Sequence, residues 1–366
     1  MREHGWDARA RKPELSVLVL AAGGNVSEGI LKALGRSALR CRVVGADISG
    51  AKMGLYTVDR AVVSPWAHEP GFVEWLIATC RENGVGAVLS GAEPVLRVLS
   101  QNSSLIEAET GAKCVVSDLL TLDTGDDKLL TSQWLEGEGF AGPAFCASED
   151  GAGLARLAAA HGYPLVGKPR RGGGCRGHVC VENGDDLDYV GRKPGYIVQQ
   201  YVGTSGDEFT AGCFADRDGV VRGSIVMRRE LHEGTTVEAE LGEFSDVRDA
   251  AVAITGALRP MGPCNIQMRR HGGRVYCIEI NVRFSGTTPV RAWFGFNEVE
   301  AALRHYVLGE PCPEFPLVTR GVMLRYWNEM YVMPEGIGDA TRNGLVESPR
   351  RYCLGVETYG MPDGEP

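Results

Sequence analysis

Between residues 15 and 117 short apolar runs alternate with longer amphipathic ones, and this alternation restricts the fold more than any other feature of the chain. Ser16 to Ala21, Cys41 to Asp47, Gly86 to Ser90 and Lys113 to Ser117 read as strands. Ser27 to Leu34, Phe72 to Arg81 and Glu93 to Glu107 read as helices. Short strands separated by helices require a parallel sheet with helices on both faces. Residues 15–117 are therefore expected to form an open, Rossmann-like α/β domain.

The pattern then changes. Residues 118–200 read as a small α+β lobe, with a helix from Asp127 to Gly137, a helix capped by Ser148, and strands at Tyr163 to Lys168, His178 to Val181 and Tyr196 to Gln200. A turn-rich link is expected between the last two. Residues 201–315 carry longer antiparallel strands, a helix from Val247 to Leu258 and a C-terminal hairpin. Residues 1–14 are expected to be a flexible arm. Residues 316–366 should add a strand and an irregular tail that wraps the surface. The fold class expected is thus α/β and α+β.

Composition narrows the function classes. A net charge of −9 argues against binding nucleic acid or an anionic membrane. No apolar run approaches the roughly 20 residues that span a bilayer. Leu15 to Ala22 follows a basic start, but it runs straight into a glycine turn and reads as a core strand rather than a leader. The eleven cysteines form no CxxC pair, and several lie in strand-like runs. Buried free thiols in a reducing, cytoplasmic setting are expected, not disulfides or zinc.

The hairpin near the end of the third segment holds the densest chemistry. Val275 to Val282 reads as a strand on which Glu279 and Asn281 share a face. Gln267 lies on the preceding strand. A three-residue turn around Gly272 brings Gln267 to that face; a two-residue turn puts it opposite unless the strand is bulged. Glu279, Asn281 and Gln267 together would be an all-oxygen set suited to a hard cation that also holds phosphates. A hairpin with one wet polar face is the other reading.

Four further segments stand out. Lys168 precedes Gly172, Gly173 and Gly174, a run that lets backbone N–H groups approach an anion while Lys168 and the nearby arginines add charge. A solvated surface loop has the same composition. Gln200, Tyr201 and Val202 read as a connector whose backbone can meet a purine edge, and Glu208 opens the next strand, where it can accept from ribose hydroxyls or simply be solvated. Gly23-Gly24-Asn25 after the first strand lacks the GxGxxG spacing of a dinucleotide site and reads better as a tight turn. Thr288-Pro289 suits a helix start flanked by Arg283 and Arg291, a place for a carboxylate or for ordinary capping. Glu93, at the C-terminal end of the parallel sheet, reads either as a partner for a substrate ammonium or as an ordinary helix-start charge. No Ser/His/Asp or Cys/His signature is present.

Together these segments resemble the ATP-grasp superfamily, in its carbamoyl-phosphate-synthase-like and amino-acid-ligase branch, over roughly residues 15–310. The resemblance implies that Lys128 and Lys168 hold ATP phosphates, that Gly172 to Gly174 cover them, that Gln200, Tyr201 and Val202 form the adenine hinge, and that Glu208 binds the ribose. It implies a nucleotide contact at His232. It assigns one or two magnesium ions, with manganese as the alternative, to Gln267, Glu279 and Asn281, and stabilisation of the reacting phosphoryl group to Arg283, with Lys168 assisting. Glu93, Ser285, Gly286 and Arg291 are the substrate candidates. Lysines stand at 128 and 168 where carbamoyl phosphate synthases carry arginines, and the chain is too short for the duplicated synthase. The expected activity is an ADP-forming carboxylate–amine ligase joining an amino acid or peptide to an amine, with a homodimer as the assembly to look for. The alternatives are a nicotinamide-dependent oxidoreductase using the first domain and a catalytically silent nucleotide-binding protein.

Overall fold

The computed structural model describes residues 15–356. The arm expected at residues 1–14 and the last ten residues of the tail lie outside the described residues. The first domain comprises β1 (Leu15–Leu20), α1 (Asn25–Leu34), β2 (Cys41–Asp47), β3 (Arg60–Val63), α2 (Phe72–Asn83), β4 (Ala87–Ser90), α3 (Glu93–Thr110) and β5 (Lys113–Cys114). These five strands run parallel in the order β3-β2-β1-β4-β5. The order reverses beside β1, so the crevice beyond the ends of β1 and β4 is the switch point where open α/β sheets take ligands. The sheet buries on both faces: Val17, Leu18, Val19 and Leu20 are all at or near zero exposure, as expected of a strand covered by helices above and below.

Two linking helices follow, α4 (Leu119–Asp126) and α5 (Lys128–Gly137). Asp127 caps α5, accepting from Leu129 N and Leu130 N, which fixes Lys128 in the first helical turn. The small lobe holds β6 (Phe145–Ala147), α6 (Gly151–His161), β7 (Leu165–Pro169), β8 (Val179–Val181), α7 (Gly184–Gly191) and β9 (Tyr196–Gln200). Two local expectations fail here. Asp150, not Ser148, caps α6 through Gly153 N; Ser148 Oγ instead donates to Lys193 O at 2.7 Å. The link expected to be turn-rich is α7, which Asn183 starts by accepting from Asp186 N.

The large lobe is a six-stranded antiparallel sheet: β10 (Glu208–Ala215), β11 (Val221–His232), β12 (Thr235–Leu241), β13 (Gly262–His271), β14 (Arg274–Asn281) and β15 (Gly321–Leu324), in the order β14-β13-β10-β11-β12-β15. One face packs on α8 (Ser245–Leu258), where Phe209, Ile266 and Met268 meet Val247, Ala251 and Ile254. Burying such side chains contributes roughly 1.5–3 kcal/mol each and leaves the opposite face to polar residues. The short helices α9 (Thr288–Trp293) and α10 (Glu298–Ala302) pack against α1 and join this lobe to the first domain. The C-terminal part departs from an irregular tail. After β16 (Met330–Val332) come α11 (Pro334–Asn343), β17 (Leu345–Glu347) and β18 (Cys353–Val356). β17 pairs antiparallel with β3 and closes the edge of the first sheet.

None of the eleven cysteines forms a disulfide. Burial pushes Cys213 up to about 11 and Cys277 up to about 12, so these are core thiols rather than nucleophiles. Among the described residues no helix is long and apolar enough to cross a membrane.

Candidate active site

The β13–β14 hairpin forms the floor of a cleft between the two lobes. Its turn is two residues long, not three: His271 pairs with Arg274, and Gly272 and Gly273 both have positive φ, the signature of a type I′ turn. Alone that turn would place Gln267 on the wrong face. A bulge at Ile278 corrects it. Met268 pairs with Cys277 but Gln267 pairs with Glu279, so the extra residue restores the face. Asn281 Nδ2 donates to Glu279 Oε1 at 3.0 Å, which leaves the side-chain Oδ1 of Asn281 uncommitted. The Gln267 oxygen is engaged: it accepts from Arg229 Nη2 at 2.7 Å. A cation reaching it would share that oxygen with a guanidinium.

The two lysines converge above the hairpin. Lys128 is buried and its Nζ donates to Gly172 O at 2.7 Å. Lys168 Nζ donates to Gln199 Oε1 at 3.0 Å, and Gln199 is held in turn by Ser132. Burial pushes the Lys168 amine down to about 8, with Glu279 opposing the shift and Lys128 and Arg269 adding to it. Gly172, Gly173 and Gly174 line the same cavity as Lys128, Arg229, Gln267 and Glu279. A Cβ on Gly234 would lie 2.5 Å from the Gly174 backbone, so the glycine loop rests directly on the β11–β12 turn. Arg170 and Arg171 do not add charge to this cavity. Arg170 clamps Asp127 at 2.7 and 3.0 Å, and Arg171 pairs with Asp126 and Asp123 at 2.7 and 2.8 Å.

Other expected contacts differ. His232 is exposed at the hairpin tip and does not line the cavity; Gly234, two residues on, does. In the hinge, Gln200 N already bonds Ala144 O, Val202 O accepts from Arg269 Nη1, and Tyr201 is exposed with the Arg269 guanidinium over its ring. Glu208 is buried between Arg229 and Arg269.

On the domain side, Arg283 Nε donates to Glu93 Oε1 at 2.8 Å and its Nη1 to Phe284 O. Burial would raise the Glu93 pKa, but Arg283 overrides it and the carboxyl is held below its ordinary range. Glu93 thus gives Oε1 to Arg283 while still lining the cleft. Ser285 is buried and shares a hydrogen bond with Thr287 at 2.8 Å. Gly286 packs against Asn25 at the switch point. Arg291 is not a substrate contact. It is fully enclosed, paired with the equally buried Glu298 and bonded to Asn265 and Thr210. Gly212 is where a side chain would collide with its guanidinium. Sequence reasoning missed Arg229, Arg269 and Arg325. Arg325 follows β15 and donates to Gly286 O at 3.0 Å. All three are found only through strand register.

A family model described as "ATP-grasp in the biosynthetic pathway with Ter operon" matches residues 192–330, and one described as "PylC-like, N-terminal domain" matches residues 17–115. The chain has the ATP-grasp fold, and its residues 192–330 match an ATP-grasp family. The carbamoyl phosphate synthase large chain of Halobacterium salinarum is 24% identical over 317 residues, which are 78% of this chain and 30% of that one. This ATP-grasp chain therefore spans under a third of that relative. Its fold matches N5-carboxyaminoimidazole synthetase from Staphylococcus aureus complexed with ADP, with a TM-score of 0.69 and 14% identity over 86% of this chain and 83% of that one. It also matches the biotin carboxylase of Campylobacter jejuni in a nucleotide complex, with a TM-score of 0.66 and 17% identity over 87% of this chain and 76% of that one. The biotin carboxylase domain dimer of Hydrogenobacter thermophilus 2-oxoglutarate carboxylase, in complex with MgADP and bicarbonate, gives a TM-score of 0.65 at 13% identity over 89% and 77%.

Proposed function

We propose that this ATP-grasp protein is an ATP-dependent carboxylate–amine ligase. A substrate carboxylate oxygen attacks the γ-phosphorus of ATP and ADP leaves. An amine then attacks the acyl carbon, loses a proton and expels phosphate. The observation that carries the reading is the convergence of Lys128, the glycine loop, Glu279, Asn281 and Arg283 on one cleft, with Lys168 close enough to feel the charges of Glu279 and Lys128. Phosphoryl transfer of this kind needs positioned charge more than a protein nucleophile.

Lys128 and Lys168 would neutralise the phosphates, and the glycine loop resting on Gly234 would exclude water from the acyl phosphate. Arg283, beside the metal-side residues and tied to Glu93, would meet the oxygens that gain charge. Glu279 and the free oxygen of Asn281 fit a magnesium ion, with Gln267 at its margin. Among the described residues no group of three or more His, Cys, Asp or Glu side chains could hold a metal, so such an ion would lean on the phosphates for most of its ligands. When bound, magnesium supplies charge neutralisation across the phosphates. Relatives described with ADP or MgADP support this assignment.

The acid and the amine belong at the switch-point crevice, where Arg283, Glu93, Gly286 and Arg325 meet the first domain. Paired charges of both signs there favour an amino acid or a peptide. A homodimer is the assembly in keeping with the dimeric neighbour.

The test is ADP release across pairs of acids and amines, amino acids first. Turnover is expected with at least one pair, and Glu279→Ala should abolish it while keeping the fold. Undiminished turnover in that variant overturns the metal assignment. ATP binding without turnover for any pair favours a nucleotide sensor. A rise in melting temperature with NAD(H) but not with ATP would restore the oxidoreductase reading.

A further inference from the structure

The resemblance to ATP-grasp proteins assigns Glu208 to the ribose, and the hydrogen bonds around it argue otherwise. Oε1 accepts from Arg229 Nε at 3.2 Å and Nη2 at 2.7 Å; Oε2 accepts from Arg269 Nε at 3.0 Å and Nη2 at 2.7 Å. A carboxylate has about four lone-pair positions. Two guanidinium groups, each presented side-on, fill all of them. The side chain is 5% exposed, so neither oxygen can turn to a ribose hydroxyl without breaking an ion pair in a poorly solvated place.

The same cluster has a surplus cation. Two arginines share one carboxylate, and Arg229 reaches further. Its Nη2 also bonds Gln267 Oε1 at 2.7 Å, while its Nη1 has only a marginal contact with Thr236 Oγ1 at 3.5 Å. Arg229 lines the cavity shared by Lys128, Gly172 to Gly174 and Glu279. A guanidinium that is nearly buried, locked on one edge and underused on the other presents its free edge to an anion.

We infer that Glu208 is a positioning residue, buttressing Arg229 as a third cation, with Lys128 and Lys168, on the polyphosphate of a nucleoside di- or triphosphate. This rests on the cleft being the nucleotide site. Gln267 belongs to the same device: it steers Arg229 from the opposite side. The chain thereby binds its nucleotide more through phosphate charge than through ribose hydroxyls.

Binding measured by calorimetry separates the readings without any ligation step. The probes are ADP, 2′-deoxyADP and inorganic tripolyphosphate, each with and without magnesium. Arg229→Met should weaken ADP and tripolyphosphate by a similar factor, about 10- to 100-fold for a lost charge-assisted contact. Arg229→Lys, which keeps the charge but not the fork, should fall between. Glu208→Gln should weaken both probes and leave the ratio of ADP to 2′-deoxyADP affinity unchanged. Two results overturn the inference: wild-type tripolyphosphate affinity in both Arg229 variants, or loss of ADP over 2′-deoxyADP discrimination in Glu208→Gln. If the wild-type protein binds neither ADP nor tripolyphosphate, the nucleotide reading itself falls. Melting curves confirm folding, and Arg229→Lys carries the test if Arg229→Met does not fold.

Discussion

Lys168 gives the cleft a pH dependence that can be worked out in advance. Its amine sits at about 8 instead of the ordinary 10.5, so above pH 8 the empty cleft holds a neutral lysine. A phosphate beside Nζ restores the charge, and nucleotide binding must then take up a proton. With a free value near 8 and a bound value at or above 10.5, Lys168 should add no pH dependence to ADP affinity below neutrality. That affinity should drop about tenfold between pH 7 and pH 9 and continue at roughly tenfold per unit toward 10.5. Calorimetry in two buffers of different ionisation heat reads the proton directly, about 0.9 per ADP at pH 9. Lys168→Arg keeps a charge that cannot be lost in this range and should flatten the curve. Stability has its own sign. The folded, empty protein binds fewer protons than the unfolded chain between pH 8 and 10.5. The cost of burying this charge is therefore complete below pH 8 and is relieved as pH rises through that window. Lys168→Met should be more stable than the parent at pH 7 by at most about 3 kcal/mol. The gain is reduced by about 1 kcal/mol for the partner that Gln199 loses and fades toward pH 10.5. Equal ADP affinity at pH 7 and 9, or the same slope in Lys168→Arg, would refute this account.

Two further substitutions probe the frame around the cleft. Gly234 has φ +76° and a Cβ there would meet Gly174 at 2.5 Å, so Gly234→Ala should lift the glycine loop and speed tryptic cleavage at Arg176. It should also cost on the order of 1 kcal/mol. Gly173, with no neighbour within 4 Å of a Cβ, serves as the control, and equal cleavage in both alanine variants would show that the loop does not rest on the turn. Arg291→Met should destabilise by about 3–5 kcal/mol by leaving Glu298 buried and unpaired, and adding Glu298→Met should recover much of it in urea unfolding. An unchanged stability with a raised KM for the acid would return Arg291 to the substrate site.

How far the sequence carries depends on whether a feature is local. The parallel domain was legible because its strands and helices differ in period, and that signal lies within each segment. Lys128 was named through the resemblance, and its place follows from the Asp127 cap, which holds it in the first turn of the helix it begins. α7 was hidden in a segment rich in glycine and aspartate, where the cap Asn183 looks like another turn residue. The edge strand β17 could not be read at all, since its three residues gain their meaning from β3, nearly three hundred positions away. The arginine clamp has the same cause. Arg229 and Arg269 are ordinary charged residues on their own strands, and only the pairing of β10 with β11 on one side and β13 on the other brings them to Glu208.

The hairpin shows the boundary most sharply. Glu279 and Asn281 share a face by strand periodicity alone, so that half of the floor needs no tertiary information. Gln267 joins them only through register, and register here is the sum of two opposing local events. The Gly272–Gly273 turn would turn Gln267 away, and the bulge at Ile278 turns it back. The hydrophobic face explains why both are needed. Met268 and Cys277 must both point at α8, which the two-residue turn ensures. Glu279 must point at the cleft opposite Gln267, one pair further along, where the polar face requires the shift. The bulge thus separates a stretch whose register is set by the core from a stretch whose register is set by the cleft. Deleting Ile278 should therefore close the bulge without inverting either stretch: Glu279 would follow Cys277 directly and still fall opposite Gln267 in a regular ladder, so the polar face of the floor should survive.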